Sequence, residues 1–161
     1  MTPFWAVPDP YALYGIALGH TPPAAALRER LVAGGEPGPG AGPSASGLVV
    51  TGLTLMSAVA LADCGELRCP AEHPDGVADL VQQLCALGRV RYAELPTGLA
   101  MSAGRLYREQ AGHRYLGDTV VAACAAAVLA QSEHLPVLTT PRARYCYATG
   151  VLDPVAKRIE L

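Results

Sequence analysis

The sequence lacks the short motifs that mark the commonest small-molecule chemistries. There is no G-x-x-x-x-G-K phosphate loop and no G-x-G-x-x-G turn after a strand, and the lone "GPGAG" sits among prolines that spoil a helix start. No serine, cysteine or histidine lies in a nucleophile-elbow sequence, and His20, His73, His113 and His134 fall in loop-like or helix-end contexts. Charge is scarce as well: 16% of residues are charged, and 12 basic against 14 acidic side chains leave a net −2. That balance supplies no strong field toward nucleic acid or an anionic membrane, although a local basic face stays open. No apolar run reaches the roughly 20 residues a membrane helix needs, and "MTPFWAVPDP" has no basic flank ahead of an apolar stretch. The expectation is a cytoplasmic chain with no membrane partner. Five cysteines at irregular spacing argue against a disulfide framework. Cys64, Cys69 and His73 fall short of four zinc ligands, and they read equally as two helix-end thiols and a loop histidine.

What the sequence does have is apolar content: 51% of 161 residues are hydrophobic, enough to bury the core of one domain. Residues 34–47 hold six glycines and three prolines with one charge, a composition expected to form a flexible loop inside a single domain spanning 1–161. Around it, apolar strand patterns alternate with helical ones. "FWAV" (4–7) is a strand, and "DPYALYGIAL" begins with a capping residue and a proline suited to the first helical turn. "PPAAALRERLVA" reads as a helix, "LVVT" (48–51) as a buried strand, and "LTLMSAVALADC" as another helix. A helix over 77–87 precedes a strand over 89–95, a helix over 97–110, and the apolar helix that Asp118 opens. "LPVLTT" (135–140) is a strand, "PRARYCYA" a short helix, and "KRIEL" an edge strand. The alternation implies parallel crossovers and a three-layer α/β/α sandwich with a mostly parallel central sheet.

In such a sheet, ligands gather beyond the carboxyl ends of the strands. Asp9 follows the first strand, and Asp118 stands at the mouth of eleven uninterrupted apolar residues. Each has a plain alternative as a helix cap, accepting from free N–H groups of the first turn. Four stretches in order, "AVPDPYALYGIALG", "LVVTGLTLMSAVALA", "YLGDTVVAACAAAVLA" and "LPVLTTPRAR", resemble the PIN domain family, which includes the VapC-type toxins of toxin–antitoxin pairs. The resemblance implies a divalent-metal endoribonuclease in which clustered carboxylates hold Mg²⁺ or Mn²⁺. The ion lowers the pKa of a bound water that attacks the phosphodiester.

On that pattern Asp9 and Asp118 match the first and third acids, as catalytic residues and metal ligands. Ser57 stands where a glutamate is expected and Pro141 where the last aspartate is expected. Asp63, six residues beyond Ser57, is turned about 240° around its helix and is a poor substitute. Mg²⁺ often takes one or two carboxylates plus waters and substrate phosphate, so a weak single-ion site survives on paper, but a two-ion site does not. Ser57, Thr139 and Thr140 are candidates for polar support, while threonines also simply favour strands. Arg105, Arg108, Arg114, Arg142 and Arg144 are candidates for RNA phosphate contacts, with a solvated helix face as the alternative. Three readings follow: a nuclease with a reduced acid set, a catalytically silent PIN-like module that binds RNA or protein, and a toxin-like chain masked by an antitoxin-like partner. The mean hydropathy of +0.25 adds an expectation of apolar surface and a homodimer.

Overall fold

The structure, a computed structural model, describes residues 4–34, 46–63, 76–112 and 114–161. Five strands form one all-parallel sheet: β1 (Trp5–Pro8), β2 (Gly47–Val50), β3 (Val90–Tyr92), β4 (Val137–Thr139) and β5 (Arg158–Glu160), in the order β3-β2-β1-β4-β5. Helices α1 (Pro10–Leu18), α2 (Pro22–Ala33), α3 (Gly52–Asp63), α4 (Val77–Cys85), α5 (Thr97–Ala111), α6 (Asp118–Glu133) and α7 (Arg144–Tyr147) surround it, completing the expected α/β/α sandwich.

The strand chemistry matches position. β2 is buried at all four residues, as a central parallel strand must be when helices cover the sheet, and it reads as an unbroken apolar run. β5, "RIE", is exposed at both charged residues and lies at the edge, as expected for the tail. β3 is shorter than the 89–95 expectation: Val90, Arg91 and Tyr92 are in register with Leu48, Val49 and Val50, and the Ala93 N–H makes the last bond to β2, donating to the Val50 carbonyl. Gly47 sits where a Cβ would stand 2.6 Å from the Trp5 ring and 2.7 Å from the Arg89 carbonyl, so only a hydrogen fits between β1 and β3. The glycine-rich segment therefore ends sooner than 47: Gly47 pairs with Trp5 in β2, and the Ser46 hydroxyl accepts from the Phe4 N–H at 3.3 Å. Positions 35–45, together with Cys64, Cys69, His73 and His113, lie outside the described residues.

The two proline-led helices start as their sequences dictate. The Asp9 carboxylate caps α1 and the Thr21 hydroxyl caps α2, each ahead of a proline in the first turn. Helix α6 is the central helix of the core: Val120 and Ala122–Ala130 are all buried against α5, α3 and β1. Its alanines let neighbouring backbones approach closely, which explains why an apolar stretch of small residues runs through the middle of the domain. One polar link crosses this packing. Gln110 of α5 donates to the Cys124 Sγ at 3.2 Å, and its side-chain oxygen accepts from Thr149 at 3.2 Å.

Candidate functional site

The chain leaves β1 toward β2 on one side, while β4 lies on the other, so the strand order reverses between β1 and β4. The carboxyl ends of these two strands define the crevice where parallel sheets place ligands. Asp9 arrives there from β1 and Thr139 and Thr140 from β4, and the Asp9 N–H donates to the Leu138 carbonyl at 2.9 Å. These residues, expected to share a site, are brought together.

Asp9, however, is closed. It is 0% exposed. Its Oδ1 accepts from the Ala12 N–H at 2.8 Å and its Oδ2 from the Tyr147 hydroxyl at 2.8 Å. Burial raises its pKa above the ordinary carboxylate value, against the opposing effects of Thr139, Ala12, Tyr147 and Tyr11. Tyr147 is pushed upward too, first by its own burial and then by the adjacent Asp9 charge. The phenol thus keeps its proton and donates it toward the carboxyl. Arg158 lies over the Tyr147 ring, 4.6 Å from its centroid, and is itself paired with Asp153 at 2.5 Å.

Asp118 has a different environment from the one its sequence context suggests. The N-cap of α6 is Gly117, at φ 91° and ψ 163°, and no side chain caps the helix. Asp118 is the first residue inside the helix, so the expected cap hydrogen bond is absent although the helix dipole still favours its charge. Its exposed carboxylate instead accepts from the Tyr115 hydroxyl, and that bond raises the Tyr115 pKa. Tyr115 meets the Tyr107 ring edge-on, and the Tyr107 hydroxyl accepts from the Leu116 N–H at 3.0 Å.

Tyrosine hydroxyls stand beside both acids, Tyr147 at Asp9 and Tyr115 at Asp118, with a further tyrosine pair nearby. The Tyr145 hydroxyl lies 3.1 Å from that of Tyr11, two residues after Asp9, with their rings edge to face at 5.9 Å. Burial raises the Tyr145 pKa, and Thr119, the neighbour of Asp118, opposes that rise. Sequence reasoning missed Tyr11, Tyr115, Tyr145 and Tyr147. For Tyr145 and Tyr147 the available signal was "RYCY", a short aromatic helix following the turn after β4; Tyr11 and Tyr115 carried none beyond their nearness to Asp9 and Asp118.

The remaining candidates scatter around this centre. Ser57 is buried on α3, and the turn before it is held by a Thr51–Thr54 hydroxyl pair at 3.0 Å. Pro141 opens a 3-10 turn over Pro141–Ala143 and offers no side-chain donor or acceptor. Thr139 and Thr140 are buried, and the Thr140 hydroxyl has no hydrogen-bond partner among the described residues. Arg142 is exposed beside His20, Arg144 reaches Glu160 at 3.8 Å, and Arg105, Arg108 and Arg114 are exposed.

Mg²⁺ or Mn²⁺ fits this donor set badly. One acid has both oxygens taken by protein donors, the other is hydrogen-bonded to a tyrosine, and the two remaining positions are a buried serine and a proline. Among the described residues no three histidine, cysteine or acidic side chains are grouped to hold an ion. No family model matches the chain, and no curated protein matches it.

Proposed function

We propose that this chain is a PIN-like domain related to the divalent-metal endoribonucleases of toxin–antitoxin pairs. Its hydrolytic site has become a tyrosine-lined surface that binds single-stranded RNA without cleaving it. The observation that carries this reading is the closure of Asp9. A metal ligand must present a free, ionised oxygen, whereas the Asp9 oxygens are held by Ala12 and Tyr147 in a fully buried setting that disfavours the charge.

Support for RNA comes from what surrounds the mouth of α6. Tyr115 is 74% exposed and Tyr145 48% exposed, and Arg144 is accessible on the same short helix as Tyr145. Exposed aromatic faces beside a guanidinium suit stacked bases and a phosphate backbone, a combination that tolerates many sequences.

The test pairs Mn²⁺ calorimetry with anisotropy of a labelled single-stranded oligoribonucleotide at low salt. Expected are the same metal titration for wild type and Asp118→Asn, RNA binding without cleavage, and roughly tenfold weaker binding in Tyr115→Ala and Tyr145→Ala. RNA cleavage in Mn²⁺ that Asp118→Asn abolishes would establish a nuclease instead. An absence of RNA binding at low salt would overturn the binding reading.

A further inference from the structure

Independently of the RNA reading, we infer that the free edge of β5 pairs antiparallel with the same edge of a second copy of this chain, about a twofold axis at Ile159. β5 is the last strand of the sheet, with β4 on one side only. The Lys157 carbonyl accepts from the Val137 N–H at 2.8 Å, and the Leu161 N–H donates to the Thr139 carbonyl at 2.9 Å. Backbone groups of successive strand residues point to alternate sides, so residues 157, 159 and 161 direct theirs at β4. Arg158 and Glu160 therefore aim their N–H and C=O groups outward, where no strand stands among the described residues. Such an edge is a template for a further strand.

The order Arg158, Ile159, Glu160 selects the partner and its direction. In an antiparallel pair centred on Ile159, Arg158 lies opposite Glu160 of the second copy, and Glu160 lies opposite Arg158 of the second copy. Both are hydrogen-bonded positions, so the two pairs exchange four backbone bonds. Each pair also sets a guanidinium against a carboxylate, whereas a parallel pairing in register would oppose like charges. Charges that discourage a foreign strand thus suit the strand itself. Their local partners leave room for this. The Arg158 and Glu160 side chains are 35% and 52% exposed, and Glu160 meets Arg144 only at 3.8 Å. Arg158 has five N–H donors and gives one to Asp153.

The other face of the edge is apolar. Ile159 meets Ile159 of the second copy at the closer, non-hydrogen-bonded position. It also lines an open groove of about 510 Å³ with Phe4, Leu135, Val155 and Ala156. Leu161 of the second copy comes opposite Lys157 on this face, beside the groove, and the twofold axis repeats the contact. A net charge of −2 per copy opposes the approach little. The contact is small, so the dimer it makes is weak and exchanging.

The full chain is followed by sedimentation equilibrium from about 10 µM to 1 mM, at low and high salt. A monomer–dimer equilibrium with Kd in that range is expected, weakened severalfold by salt. Glu160→Arg sets positive charge against Arg158 twice, and Arg158→Glu sets negative charge against Glu160 twice, so each alone should weaken the dimer by about tenfold or more. Mixed, the two variants should recover a one-to-one dimer, because every facing pair is then of opposite sign. Arg158→Glu also loses Asp153, so melting curves accompany every variant and Glu160→Pro decides without it. The proline removes an outward N–H and no bond to β4, so it should abolish the dimer while keeping the melting temperature within about 3 °C of wild type. A monomer throughout the range, a dimer that Glu160→Arg and Glu160→Pro leave intact, or folded charge variants that stay monomeric when mixed would each overturn the assignment.

Discussion

The Tyr147 hydroxyl donates to Asp9 Oδ2 at 2.8 Å, joining residues 138 positions apart. Because Asp9 also caps α1 through Ala12, one carboxyl binds the first strand-to-helix turn to the short helix after β4. A residue placed where a metal ligand would stand thus serves as a tie between the two halves of the sheet.

Removing that tie should be costly, and preserving its shape should not. Asp9→Ala loses a cap and leaves a buried phenol without its acceptor, an expected loss of about 2–4 kcal/mol in urea unfolding. Tyr147→Phe is expected to cost about 1–3 kcal/mol by leaving one carboxyl oxygen unbonded. Asp9→Asn keeps the cap. The pH dependence fixes its sign: burial raises the Asp9 pKa above 3.8, so its contribution is fully present below that value and declines as pH rises through the folded pKa. Asn does not titrate, so Asp9→Asn should gain on wild type between acid and neutral pH. An unfolding free energy of Asp9→Asn that falls relative to wild type as pH rises from acid to neutral would contradict this account.

The buried thiols should be inert in the native state. Burial is the main cause raising Cys124 to about 11 and Cys146 to about 12, leaving almost no thiolate near neutrality. Peptide mapping after brief alkylation at pH 8 is expected to leave both unmodified until denaturant is added. Rapid native labelling of either would show that α6 or α7 opens.

Gly117 is expected to resist replacement. At φ 91° an L side chain is strained, although no neighbour blocks the space itself. Gly117→Ala should therefore cost about 1–3 kcal/mol from backbone strain alone. An unchanged unfolding midpoint would mean that the turn has another low-energy path into α6.

At Gly47 the obstacle is contact instead. Gly47→Ala drives a methyl into the ring of Trp5, the chain's one tryptophan, and into the Arg89 carbonyl. Expected are a loss of about 1–3 kcal/mol and a shifted native Trp5 emission. A wild-type spectrum and stability would show that β1 and β3 separate at little cost.

Most of the architecture was legible because it rests on local signals. Proline after Asp9 and Thr21, the "LVV" run and the eleven apolar residues of α6 each specify an element without knowledge of its neighbours. The length of β3 was not legible, since pairing with β2 decides it. At the site, the position of Asp9 followed from its sequence context, but its closure depends on Tyr147, far away in the chain. The capping alternative for Asp118 did not hold, because the preceding glycine, at φ 91°, takes the cap position and leaves the aspartate inside the helix.

The Gln110 link has a consequence for how α5 and α6 stay in step. Alanine-rich surfaces carry few protrusions, so two helices meeting along one can slide with little change in contact. Gln110 admits a single alignment, because a slip of one turn, about 5.4 Å, would pull its amide from both Cys124 and Thr149 and leave it unpaired in the core. Where the packing is smooth, one amide acts as the detent that sets the register.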